Sequence, residues 1–207
     1  AKLGRAPGYP ANGMVYVGGF EPVNGMPMWP GGNPGVGPAE WVGYDTPWSG
    51  TGTTLFGVKL TNGAELASPL TVISDNTAYV HGNYNAVNKK GAAVIADAVN
   101  ILSNRWGDID GDGTFDDDLT YSELVLTSRN AWSTTVNAAL MMGNTDTQPG
   151  VIYNGGVENV LRFLERWSGD TLTYVGSIID LWNSQNATGA WIYGNPIYTA
   201  PNRNFSF

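Results

Sequence analysis

From Thr53 onward the apolar positions fall into short runs: TTLFGVKL, PLTVIS, TAYVHG, AAVIA and VNILS. Each run is rich in β-branched or aromatic residues and bounded by Gly, Asn, Asp or Lys, the pattern of a strand between turns. Leu70–Ile73, Ala78–His81, Ala93–Ala96 and Val99–Leu102 are separated by tight Asp or Asn corners or by one longer excursion. Such spacing predicts short stacked, solenoid-like strands of a parallel sheet. A rival reading takes Gly91–Leu102 as one buried helix with Asp97 on its polar face, and the alanines favour it. The Asp97-Ala98 break and β-branched Val94, Ile95, Val99 and Ile101 favour strands, the reading adopted. No strict repeat of about 20–50 residues is visible, which argues against a long solenoid.

Two segments read as helices. Ser133-Thr134-Thr135 can cap VNAALMM, and Gly143 stands where a terminating glycine belongs. Val157, Val160, Leu161, Leu164 and Trp167 then form an apolar stripe at helical spacing, with Glu158, Arg162, Glu165 and Arg166 on the other face. After Ser168-Gly169 the runs LTYVGSIIDLW, AWIYG and PIYTAP return to strand. The expected fold class is therefore α+β and β-dominated, with two short helices packed against the sheet. Residues 1–52, which include PGYPANG and MPMWPGGNPGVGP, form a Gly/Pro/Trp-rich segment expected to be ordered loop or an inter-subunit arm, with one strand at Met14–Val17. Residues 53–207 form the β-rich domain.

The sharpest chemical signal is Asp108-Ile-Asp110-Gly-Asp112-Gly113-Thr114-Phe-Asp116-Asp117-Asp118. Alternate carboxylates followed by glycine match the start of a calcium loop, where the acids converge and the glycine lets the chain turn sharply. The ligand set predicted is Asp108, Asp110, Asp112, the Thr114 carbonyl, Asp116 and Asp118. The pattern then departs, because Leu119 stands where the closing bidentate acid belongs. Asp117, Asp118, Glu123 or water could close the shell, and no flanking helices are predicted. A solvated acidic turn is the bland alternative, and calcium in a structural role is the expectation.

Composition narrows the function classes. The chain has 207 residues, 42% hydrophobic and 14% charged, with ten Lys+Arg against eighteen Asp+Glu. The scattered cations make no footprint for nucleic acid or an anionic membrane, and no apolar run reaches the ~18 residues of a membrane span. Six of the eighteen acids lie in the loop at 108–118, so the rest of the chain is nearly neutral. Without cysteine there is no disulfide, thiolate site or cysteine nucleophile. His81 is the one histidine and reads as structural. No G-x-S-x-G elbow, dinucleotide fingerprint or P-loop accompanies it, so a non-enzyme is expected. The first residue is Ala1, read as a processed or excised chain whose targeting segment has been removed.

Eight tryptophans divide in two. Trp106, Trp132, Trp167, Trp182 and Trp191 adjoin expected elements and read as core, whereas Trp29, Trp41 and Trp48 form a candidate interaction patch.

Three stretches carry a family likeness: PLTVISDNTAYVHGNYNAVNKKGAAVIADAVNILSNRW, then STTVNAALMMGN, then YNGGVENVLRFLERWSGDTLTYVGSIIDLWNSQNATGAW with the YTAPNRNFSF ending. In this order they resemble the C-terminal region of large bacterial surface proteins related to pilus-assembly (PilX-like) and pilin-like proteins. The likeness spans roughly residues 53–207 and brings no catalytic motif. It implies an extracellular, cell-surface, self-associating subunit of a pilus-like filament. Members usually carry an N-terminal hydrophobic helix that this sequence lacks, which leaves that helix cleaved, or encoded separately as a pilin-like helical partner chain, or the chain assembling without it. The acidic loop falls where the family has a shorter linker. Two alternatives are kept: a carbohydrate-binding or adhesion module using the tryptophans for glycans, and a calcium-dependent polysaccharide lyase using Arg105 or Arg129.

Overall fold

The computed structural model describes residues 14–17, 39–45, 54–148, 150, 153–156, 160–187 and 198–207, with backbone alone for 14–17, 39–45, 54–56 and 119. Their elements are β1 (Met14–Val17), β2 (Ala39–Asp45), β3 (Thr54–Leu60), β4 (Leu70–Ser74), β5 (Thr77–His81), β6 (Ala92–Ala96) and β7 (Val99–Leu102). There follow helix α1 (Asp118–Glu123), β8 (Thr134–Asn137), β9 (Ala139–Asn144), β10 (Leu161–Phe163), β11 (Thr171–Val175), β12 (Ile178–Asn183) and β13 (Asn202–Ser206).

These strands form three sheets, ordered β1-β4-β6-β9-β12, β10-β7-β5-β3-β2 and β13-β11-β8. The chain visits the sheets in rotation: β6, β7 and β8 make one turn, and β9, β10 and β11 stack on it in the same order. Every strand pairing is parallel except β2 with β3. The result is a coil of stacked parallel turns, an architecture in which each turn buries its apolar face against its neighbours. A short turn carries the chain from Leu70 to Ala92 or from Ala78 to Val99. A long one runs from Val99 to Leu161, because loops are inserted at the corners.

Parallel pairing in register puts the same position of successive turns side by side. On the first sheet Val72, Val94, Leu140 and Ile178 stack in one row, on the second Val58, Ala78, Val99 and Leu161, and on the third Val136, Tyr174 and Phe205. These rows, all buried save Ile178 and Phe205, build one core between the sheets. Alternation along each strand sends the intervening side chains outward, as the burial of β4 and β5 shows.

At the corners, polar side chains satisfy the backbone that the ladders leave unpaired. Asn85 and Asn137 exchange bonds across turns, each amide donating to the other's main-chain carbonyl at 2.9 and 3.0 Å. Asp97, buried, accepts from Ser184 Oγ, Gln185 N, Asn186 N and Asn186 Nδ2 at 2.7–3.0 Å and so fixes the corner after β12.

The α+β class with two packed helices is overturned. Among the described residues the only helix is the six-residue α1, which sequence reasoning left as loop. The segment expected as a helix under the Ser133-Thr134-Thr135 cap is β8 and β9. Its Thr134, Val136, Leu140 and Met142 are buried at every second position within each strand, and Ala138 bridges the corner between them. Of the Val157–Trp167 segment, residues 157–159 lie outside the described residues, and the remainder holds β10. Leu161, Phe163, Glu165 and Trp167 are all buried, a period of two that an apolar stripe at helical spacing also fits over so short a run. Glu165 therefore faces inward instead of lying on a solvated face. The first segment contributes β1, beside β4, and β2, beside β3.

Turn height leaves no spare room at Gly176, between β11 and β12, where a Cβ would fall on the carbonyl oxygen of Ala138 in the adjacent turn. The Gly176→Ala variant is expected to lose about 1–3 kcal/mol, the usual cost of forcing extra carbon into a packed site. Thermal unfolding checks this, and an unchanged Tm would contradict the packing described.

Candidate metal centre and the adjoining pocket

Residues 103–133, between β7 and β8, leave the coil, cover the outer face of the second sheet and return. Their two ends are fastened together by Ser103. Its Oγ accepts from Arg105 N (3.0 Å) at the outgoing end and from Trp132 N (3.1 Å) at the returning end. Ser103 itself donates through N and Oγ to the carboxylate of Glu165 at 2.7 and 2.6 Å. A buried glutamate of the next turn thus clasps the neck of the insertion.

A second apolar cluster of Leu102, Trp106 and Tyr121, with Tyr79, Leu124 and Leu164 against it, seats the insertion on the sheet. Beside it lies a charged pin. Lys59, buried on β3, donates to both oxygens of Asp118 at 2.7 and 2.6 Å, and the Trp106 indole donates to Oδ1 at 2.5 Å. The Lys59 ammonium also lies 4.6 Å from the centre of the Phe115 ring. A buried ion pair is sustainable when extra hydrogen bonds satisfy it, as here.

Between these anchors runs the acidic loop. Gly111 and Gly113 adopt φ of 82° and 89°, a region that only glycine enters without strain. Those turns aim their N–H groups back at buried Asp108, whose Oδ1 accepts from Gly111 (2.6 Å) and Oδ2 from Gly113 (3.1 Å). Asp110 accepts from Asp112 N (3.1 Å) and Asp116 from Ile109 N (2.8 Å). Carboxylate oxygens of Asp108, Asp110 and Asp116 come within 4.8 Å of one another. Three hard oxygen donors on one side of a loop are the set that suits calcium or magnesium.

The other predicted ligands sit differently. Asp112 Oδ1 accepts from Thr114 N and Oγ1 at 2.8 and 2.7 Å, which holds its carboxyl below the usual carboxylate range. Asp118 is spent on Lys59 and Trp106, and Asp117 caps α1 by accepting from Thr120 N at 2.7 Å. Of the candidate interaction patch, Trp29 and Trp48 lie outside the described residues, and Trp41 is described only by its place in β2 opposite Val58. Trp106 and Trp167 are buried as expected of core residues, whereas Trp132 and Trp182, also expected in the core, are exposed, and Trp191 lies outside the described residues. Arg105, one candidate lyase base, lies 3.9 Å from Asp108 and over the Trp132 ring.

A cavity of about 400 Å³ opens between the loop and the sheet, lined by Lys59, Thr61, His81, Asn83, Trp106 and Phe115 among others. His81 is lowered to about 4, chiefly by burial and then by the Lys59 charge, so its imidazole is neutral at pH 7. Sequence reasoning missed both this cavity and the Glu165 clasp.

Comparison with family models, curated proteins and solved structures finds no match to this chain. The pilin-like resemblance therefore rests on its three sequence blocks alone. No helix among the described residues is long and apolar enough to cross a membrane.

Two buried groups make opposite demands as pH falls. Burial raises Glu165 to about 7 despite the Ser103 donors that favour its charged form. The folded state then binds the extra proton between about pH 7 and 4.5, and stability rises as pH falls through that window. Depressed His81 works the other way: the unfolded state takes the proton first, so stability falls from about pH 6.5 to 4. In the wild type the two effects offset one another. Glu165→Gln should leave a protein that weakens steadily below pH 6.5, whereas His81→Asn should leave one that strengthens from pH 7 to 5. Denaturant melts across this range measure both slopes, and equal slopes in the two variants would refute the assignment.

Proposed function

We propose that this chain is a structural component of an extracellular bacterial surface assembly, a self-associating filament-type subunit whose acidic loop is braced by calcium. The observation that carries self-association is the end of the coil. β12 is the outermost strand of its sheet among the described residues, and its Leu181 and Trp182 are 62% and 36% exposed. A parallel edge without a partner among the described residues, bearing apolar side chains, is a template for another chain, and stacked-turn proteins that stay monomeric cover such ends with polar caps. The nearly neutral remainder of the sequence removes the charge repulsion that would keep copies apart. The three resembling blocks favour the same role.

For the metal, Asp108, Asp110 and Asp116 would hold the ion, which supplies the positive charge that the crowded carboxylates lack. Calcium at ~100 times its Kd should raise Tm by about 5–10 °C, and Asp116→Asn should abolish the rise. An unchanged Tm in millimolar calcium removes the metal from the proposal. Self-association is tested separately by negative-stain microscopy and light scattering of the calcium-loaded chain. Filaments or large oligomers, lost in Leu181→Lys, are expected; dispersed monomers at every concentration would sink the structural reading.

A further inference from the structure

We infer that the cavity between the second sheet and the inserted loop is a binding site for a neutral saccharide unit, held by the polar groups of Thr61, Asn62, Asn83 and His81 against the ring of Phe115. Its volume, about 400 Å³, lies within the range of small-ligand sites. The lining combines an aromatic face with amide, hydroxyl and imidazole groups, the mixture that meets the apolar and hydroxylated faces of a sugar ring.

Several of these polar groups are unspent. The side chains of Thr61 and Asn62 make no hydrogen bond among the described residues, although both line the cavity. Asn83 uses its Oδ1 to accept from Thr135 N and Asn104 Nδ2, which leaves its amide N–H groups for a ligand. His81 lines the cavity with a neutral imidazole at pH 7. A neutral imidazole that donates at one nitrogen offers a lone pair at the other. Phe115 stands 51% exposed at the mouth, its ring held between Lys59 and the space over Gly107 where a Cβ would collide with it.

Charge decides the ligand class. The one cation in the lining, Lys59, is already paired with Asp118, and the one acid, Asp108, accepts from the Gly111 and Gly113 amides and belongs to the acidic triad. No unpaired cation therefore waits in the cavity for an anionic ligand, and an anionic one would lose its hydration without compensation. Neutral hydroxyl groups lose little, because donors and acceptors replace water one for one. The cavity shares Asp108 with the acidic triad, and the inference rests on neither a bound cation nor self-association.

The test is saturation-transfer NMR on the full chain with glucose, galactose, mannose and N-acetylglucosamine at millimolar concentration, and glucuronate as the charged control. At least one neutral sugar should receive saturation, and glucuronate less. Asn62 has a φ of 56°, so Asn62→Gly removes the amide at a position glycine accepts without strain. That variant and Phe115→Leu should each weaken binding about fivefold to tenfold, the loss of one hydrogen bond or ring contact, while circular dichroism confirms that both remain folded. Failure of every neutral sugar to bind, preference for glucuronate, or binding unmoved in both folded variants would overturn the inference.

Discussion

Parallel stacking in register is the constraint on which the rest of this molecule depends. Once β4, β6 and β9 lie side by side with matching positions, each inward side chain meets its counterpart one turn away, and β12 keeps step with β9 as far as Asp180, where its register shifts. A residue that fits the core at Val72 must be followed by ones that fit at Val94 and Leu140. The coil therefore tolerates variation along rows and takes its long insertions at corners, where no ladder has to be kept in step, while within the described strands the extra residue Leu181 lies in the outermost strand β12. That is why the long excursion after β7 leaves the stack wholly and returns to it at β8, and why strands on either side of it still pair without a slip.

Corners then become the places where backbone polarity has to be resolved, and buried polar side chains are the means. Asp97 takes four hydrogen bonds from the turn two layers on, Asn85 and Asn137 reciprocate, and Glu165 receives both donors of Ser103. Each would be costly alone in an apolar interior. Paired as they are, they specify which turn lies over which, a distinction that a stack of similar aliphatic rows would leave weakly determined. Glu165 carries this furthest, because one carboxylate fixes the register of its turn and, through the Ser103 hydroxyl, closes the neck of the insertion.

How much of this was legible depended on the length of each run. The strands at Met14–Val17, Leu70–Ile73 and Ala78–His81 could be read because each is a short run with β-branched or aromatic residues bounded by Gly, Pro, Asn or Asp. VNAALMM could not, since Ala and Met suit helices and a break at Ala138 splits the period of two into pieces too short to recognise. Val160, Leu161, Leu164 and Trp167 satisfied helical spacing by coincidence, and nothing local revealed that Glu165 has a partner 62 positions away in Ser103. The D-x-D-x-D-G spacing did mark a loop in which acids converge. It could not mark Asp112 and Asp118 as engaged elsewhere, because the competing donors, Thr114 and Lys59, are set by side-chain rotation and by tertiary contact.

The acidic loop is instructive about how such charge density is tolerated. Six carboxylates stand within it, and every one accepts at least one hydrogen bond: Asp108 from two glycine amides, Asp110 from Asp112, Asp112 from Thr114, Asp116 from Ile109, Asp117 from Thr120, and Asp118 from Lys59 and Trp106. The loop is thus shaped by its own amides and by the pin to β3, with its neck shut by Ser103. The oxygens of Asp108, Asp110 and Asp116 are thus already gathered, so a cation placed there would leave little ordering entropy to lose. The same pre-shaping holds the Phe115 wall of the cavity in place. Stack and insertion therefore divide the work: the coil supplies rigidity through repetition, and the excursion after β7 gathers the acidic triad and the Phe115 wall of the cavity.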